Sequence, residues 1–273
     1  IQRRESDAYA FALASPPNST FQDILETAPF EVNFNEDVFR NVLTQNVAFN
    51  LKYDFDGFSL NSITSYQKTD QSRLDEFDYT VFDIQSAIST FDLENITQEI
   101  RLASLGEKNL KWTTGVFLYW TDRVNLDRLR VGTDAGILDP DLLPLIPYEQ
   151  VDRPDVEQMG IAVFGQATYD ITKAFAITAG LRYDHEEIDA DVNRVFTSPA
   201  LPDGSFSESA TFDALSPKAA LGFQANDDVF LFANIARGFR PGGGNTFVSD
   251  PGNAPFDPET TWNYEAGIKS NLL

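Results

Sequence analysis

The chain has 273 residues, 42% of them hydrophobic, with 42 acidic against 20 basic side chains and a formal charge of −22. With 23 Phe, 9 Tyr and 3 Trp it is too apolar for a disordered acidic tail, and it lacks the basic clusters that bind nucleic-acid phosphates. The absence of Cys excludes disulfides and thiolate chemistry, and a single histidine, His185, excludes sites that need two imidazoles.

A membrane-crossing helix needs about 20 mostly apolar residues, and the longest comparable stretch runs only from Ala174 to Leu181. Ile1 opens the chain without a leader-like segment, and Leu273 follows a strand-like run. Both ends therefore read as cut, and a longer parent protein is expected. Residues 1–40 are expected to hold the end of an earlier strand and a long outer loop. From residue 41 onward the apolar period is two, which places alternate side chains on opposite faces of a strand. Nine runs follow, at about 41–54, 58–69, 94–105, 110–123, 157–170, 174–188, 212–225, 229–241 and 261–270. Most exceed the five or six residues usual for strands of soluble proteins.

The connections alternate. Asp54 to Gly57, Gly106 to Asn109, Ile171 to Lys173 and Asn226 to Asp228 are tight, as hairpin turns are. Between them lie the long segments 70–93, 124–156, 189–211 and 242–260. A soluble sandwich has no reason to gather its long loops at one end. An outer-membrane barrel does, with short turns on the periplasmic side and long loops outside, and closure pairs every amide that lipid cannot satisfy. The fold expected is all-β: an antiparallel up-and-down transmembrane β-barrel, present in part, with residues 41–273 forming its middle.

One parity of each run is apolar: Leu43, Val47, Phe49, Leu51 and Tyr53 on the first, Leu110, Trp112, Val116, Leu118 and Trp120 on the fourth, Ile161, Val163, Ala167 and Tyr169 on the fifth. Tyr53, Phe58, Trp112, Tyr169, Phe175 and Phe223 flank the tight turns, where an aromatic girdle belongs. The other parity carries Glu99, Arg101, Arg182, Lys218, Arg240, Glu265 and Lys269. A charge facing lipid near the midplane costs roughly 2–4 kcal/mol, so these seven are expected to line the lumen, as candidates for contact with a plug or a substrate.

Several segments resemble a known family. Gln98-Glu99-Ile100-Arg101-Leu102-Ala103-Ser104 is similar to the QELRLAS strand of TonB-dependent receptors. Phe164-Gly165-Gln166-Ala167-Thr168-Tyr169-Asp170 with Thr178-Ala179-Gly180-Leu181-Arg182-Tyr183 resembles their FGQATYD…TAGLRY hairpin. Ser216-Pro217-Lys218 with Ala236-Arg237-Gly238-Phe239-Arg240-Pro241-Gly242-Gly243, and then the strand from Pro258 to Ser270, continue the series in order. The resemblance implies a bacterial outer-membrane active transporter whose barrel of about 22 strands is plugged. It further implies lipid, an N-terminal plug domain, TonB reached through that plug, and an imported ligand held at the outer loops as partners. Ferric siderophores, cobalamin, haem and glycans are the nutrients of this family. The plug and the closing strands are absent from the sequence given, so this piece alone is expected neither to transport nor to stay soluble.

No catalytic constellation stands out: there is no nucleophile elbow, no Walker loop, and Gly242-Gly243-Gly244 precedes no helix. No enzyme, cofactor or metal site is expected. Asp75, Glu76 and Asp78, and Asp189 and Asp191, read as solvated loop charges, with calcium as the alternative. A passive porin and, less well, a soluble secreted binding protein remain the other readings.

Overall fold

A computed structural model describes residues 2–6, 34–78, 80–106, 109–137, 139–244 and 255–271. All nine expected runs are strands: β2 (Phe39–Asp54), β3 (Phe58–Glu76), β4 (Gln85–Ser104), β5 (Leu110–Val131), β6 (Tyr148–Asp170), β7 (Phe175–Phe196), β8 (Gly204–Asn226), β9 (Val229–Arg240) and β12 (Glu259–Ser270). A short β1 (Gln2–Ser6) pairs with β2, and β10 (Gly243–Gly244) with β11 (Pro255–Phe256). The reading of residues 1–40 otherwise falls mainly on 7–33, outside the described residues.

The main sheet runs β1-β2-β3-β4-β5-β6-β7-β8-β9-β12, an open antiparallel meander. At the Asp54–Phe58 turn the Phe55 amide donates to the Phe58 carbonyl at 2.8 Å, and Gly57 takes a φ of 89°. A side chain there would be strained, which is why glycine ends this loop. Gly106, with φ 90°, plays the same part in the next tight turn.

The strands run well past their expected outer ends. β3 continues to Glu76, β5 to Val131 and β7 to Phe196, while β4 starts at Gln85, β6 at Tyr148 and β8 at Gly204. Much of the expected long loops 70–93, 124–156 and 189–211 is thus hairpin arm. The reason lies in the outward parity. Beyond Trp120 it turns from apolar to acidic, through Asp122, Glu157 and Asp189 in one register row. Apolar alternation fades there, although the backbone ladder does not.

Register fixes the faces, because residues directly opposite in antiparallel strands share one. Ile100, Val116, Val163, Tyr183 and Leu215 form one continuous row from β4 to β8. Such residues stay uncovered: Val47 and Phe49 are 67% and 66% exposed, and Tyr264 72%. Apolar exposure on this scale marks a surface made for lipid or another apolar partner.

Pro217 sits where the β8–β9 ladder stops, since pairing with β9 begins only at Lys218. A proline has no amide to offer that ladder. The carbonyl freed at Leu215 is taken instead by the Arg237 guanidinium at 2.9 Å. The buried core is small and lies at the loop end. Ile84, Val131 and Ala135 pack with Phe82, Leu142, Ile146 and Tyr148, where 3-10 turns at Ala135–Ile137 and Pro140–Leu142 fold the β5–β6 connection back on itself. The segment between Pro140 and Pro147, with Leu142, Leu143 and Leu145, therefore forms a compact cap over Ile84 and Val131.

Candidate functional site: the polar wall of the sheet

Opposite the apolar face lies a polar wall, and all seven lumen candidates fall on it by register. Glu99 shares a row with Phe117, Ala162 and Asp184; Arg101 shares the next with Gly115, Phe164 and Arg182. Each arginine of this patch is held by the carboxylate two residues along its own strand. Arg101 pairs with Glu99, and Arg182 Nε donates to Asp184 at 2.8 Å. Arg182 also stands 5.7 Å from the centre of the Phe117 ring, a cation–π contact. The structure thus brings Glu99, Arg101 and Arg182 into one patch.

The other four lie apart from it. Lys218 donates to the Gln166 side chain at 3.3 Å, and Glu265 accepts from Asn234 at 2.9 Å. Lys269 sits 5.5 Å from the Phe232 ring centre, and Arg240 pairs with Glu259 at 3.7 Å near the outer end.

A second polar group sits one row outward of Glu99. Tyr119 donates to Glu186 at 2.6 Å, and Gln158 donates to both, at 2.9 Å to the phenol oxygen and 3.2 Å to the carboxylate. Sequence reasoning passed over these three. Their inward parity was readable, but nothing in the spacing says that β5, β6 and β7 bring them to one point.

The wall is kept flat by glycines that carry a neighbour's ring. A Cβ on Gly160 would lie 2.3 Å from the Tyr119 ring, and one on Gly267 2.5 Å from that of Phe232. At Gly115 it would meet both the Ile100 carbonyl oxygen, at 2.5 Å, and Phe164, at 2.7 Å. The outward Gly165 has nothing nearer than 3.6 Å. Gly115→Ala is therefore expected to destabilise by about 1–3 kcal/mol, as overpacking does, and Gly165→Ala by less than about 0.5 kcal/mol. Urea titration of the two variants in the full-length protein checks the difference.

Just beyond the apolar band the outward face carries a run of acids, Asp122, Glu157 and Asp189 and then Asp92, Asp155 and Asp191, about Val124. Burial and then repulsion from Asp122, Asp191 and Glu157 raise the Asp155 carboxyl above the usual range. Burial, a hydrogen bond to Asp70 and repulsion from it do the same for Asp92. Trp120 marks the border, its indole donating to Glu157 at 2.7 Å. His185 lies on this outward side, 2.9 Å from Asp213 and opposite Ile161. It faces away from the wall and so takes no part in a lumenal ligand site. Among the described residues no group of three His, Asp or Glu is placed to hold a metal ion.

Comparisons with known proteins agree with this geometry. A family model, TonB dependent receptor-like, beta-barrel, matches residues 3–273. The metal-pseudopaline receptor of Pseudomonas aeruginosa is 32% identical over 133 residues, which are 48% of this chain and 17% of that receptor. The pesticin receptor of Yersinia enterocolitica is 23% identical over 223 residues, 80% of this chain and 30% of the relative. Among solved structures, the ferric yersiniabactin uptake receptor of Yersinia pestis superposes with a TM-score of 0.73 at 20% identity, covering 87% of this chain and 34% of that one. The siderophore receptor PiuA of Acinetobacter baumannii gives 0.61 at 16% identity, with 86% and 38% covered. The chain thus spans well under half the length of each.

Proposed function

Because the chain belongs to the TonB dependent receptor-like β-barrel family, we propose that it is barrel wall from a bacterial outer-membrane receptor that imports a metal–siderophore complex by energy-coupled transport. One observation carries the reading. The sheet has an uncovered apolar face and a charged, hydrogen-bonded face set by one register across nine long strands. Hydrocarbon suits the first face and a filled lumen the second. The metal-pseudopaline and ferric yersiniabactin receptors supply the ligand class. Lipid, the plug domain and TonB are the partners this reading requires.

On the wall, Glu99–Arg101 and Arg182–Asp184 are self-neutralised pairs, suited to polar contact with a plug without a strong field across the lumen. Ligand capture falls to the outer connections, among which the cap over Ile84 and Val131 offers a preformed surface. In cells carrying the full-length gene, radioiron accumulation from a panel of ferric hydroxamate, catecholate and mixed siderophores is expected to disappear on gene deletion. It is also expected to disappear when the proton gradient is collapsed. Uptake that survives that collapse, together with leakage of small sugars through reconstituted protein, would instead describe a passive porin.

A further inference from the structure

The acidic stretch Asp75, Glu76 and Asp78 reads in the sequence as a solvated loop, but the structure separates its members. Asp75 is paired with Arg73 at 3.1 Å. Asp78 organises the β3–β4 connection, accepting from the Thr80 amide at 3.0 Å, its hydroxyl at 2.7 Å and the Gln85 amide at 3.1 Å. Glu76, the last residue of β3, is only 3% exposed. Its Oε2 accepts the Glu36 amide at 3.1 Å, and its Oε1 is buried without a partner. A buried carboxylate oxygen left unsatisfied costs the full desolvation of a charged group.

The covering element is the lead-in to β2, residues 34–38. On the remaining sides, Ser86 of β4 stands opposite Glu76, and Arg130 of β5 is next in the same row. Arg130 is engaged elsewhere, at 3.3 Å from Glu36 and 2.9 Å from Asp83. Asp83 also accepts from the Thr133 amide and hydroxyl, each at 3.1 Å, and its own amide donates to Asp134 at 3.0 Å. Glu36 and Asp78, both acidic, face the Glu76 carboxyl from the lead-in and from its own connection.

We propose that Glu76 is a proton-operated latch: neutral, it lies under residues 34–38 and holds them on the ends of β3, β4 and β5; ionised, it loosens them. Only the statement that this end faces the cell exterior rests on the receptor reading. Burial pushes the Glu76 carboxyl up to about 7; the Glu36 and Asn35 amides oppose this, while repulsion from Asp78 and from the Glu36 side chain adds to it. The docked form therefore binds the proton more tightly than the undocked form does. Docking is strongest below the ordinary carboxylate range, weakens as pH rises toward about 7, and stays at the weaker level above that.

The test is amide hydrogen exchange of the full-length receptor in detergent, corrected for intrinsic pH dependence. A peptide covering 34–40 is expected to lose protection progressively, by at least about tenfold, as pH rises from the ordinary carboxylate range to about 7 and to stay level above that, while a control peptide inside β5 stays level. Glu76→Gln, neutral at every pH, is expected to keep the 34–40 peptide protected throughout. A wild-type peptide with a level profile overturns the latch, and so does a Glu76→Gln variant that follows the wild-type curve. If that variant does not assemble, the wild type decides alone. A decline confined to 34–40 that levels off near neutrality upholds the latch; a level profile or a chain-wide change overturns it.

Discussion

Val163→Arg is expected to cost the full-length protein roughly 2–4 kcal/mol, the penalty for a guanidinium near the bilayer midplane. Val163 is 51% exposed, midway along its β6 row between Val116 on β5 and Tyr183 on β7. It lies between the aromatic border at Trp120 and the one at Tyr169, so an arginine there has no near headgroup to reach. Asn50→Arg is the matched control. Asn50 is exposed on the opposite parity, in register with Ile63, and a charge there costs little. Urea-titrated folding into phosphatidylcholine vesicles reads both, and heat-modifiable migration on gels gives the folded fraction directly. Equal loss for the two variants, or none for Val163→Arg, would mean that something other than hydrocarbon covers the apolar face.

That experiment tests the part of the fold that was most legible. Strand existence, face assignment and the placing of the tight turns could all be read from the chain, because an apolar face on one side and a polar one on the other need strict alternation. Trp112, Val116 and Trp120 are apolar for the same reason that Glu99 and Arg182 are not. The outer strand ends were illegible because the apolar alternation stops at the row of Trp120. Past Trp120 acidic residues such as Asp122, Glu157 and Asp189 interrupt the apolar side, and hairpin arms such as Tyr148–Glu157 look like loop. Inward features fared unevenly. The Glu99, Arg101 and Arg182 patch follows from parity plus register. The Tyr119, Gln158 and Glu186 cluster needs a register that spacing does not give. Glu76 misled for a simpler cause: three acids within four residues suggest solvent, and burial of one beneath a distant lead-in leaves no local trace.

Arg194→Met is expected to unravel the outer arms of β6 and β7 at a cost of about 3–5 kcal/mol, the range for breaking a buried pair from one side. Arg194 Nε and Nη2 reach the two Asp152 oxygens at 2.7 and 3.0 Å, and Asp152 is only 4% exposed. Gln150 donates a further bond to Asp152 at 2.8 Å. The next residue in this row, Asp127 of β5, has a buried oxygen without a partner, so removing the guanidinium leaves two carboxylates side by side with the neutral Gln150 amide still donating to Asp152. Asp152→Leu added to Arg194→Met removes the stranded charge, and the double variant is expected to recover most of the loss, since a buried ion pair is often replaceable by apolar packing. Hydrogen exchange locates the effect. Protection should fall over 148–155 and 190–196 and persist over 159–170, in the apolar band. Loss of protection along the whole of β6 would show that arms and barrel fold as one unit, and a double variant no better than the single would show that Arg194 acts through packing of its stem instead of its charge.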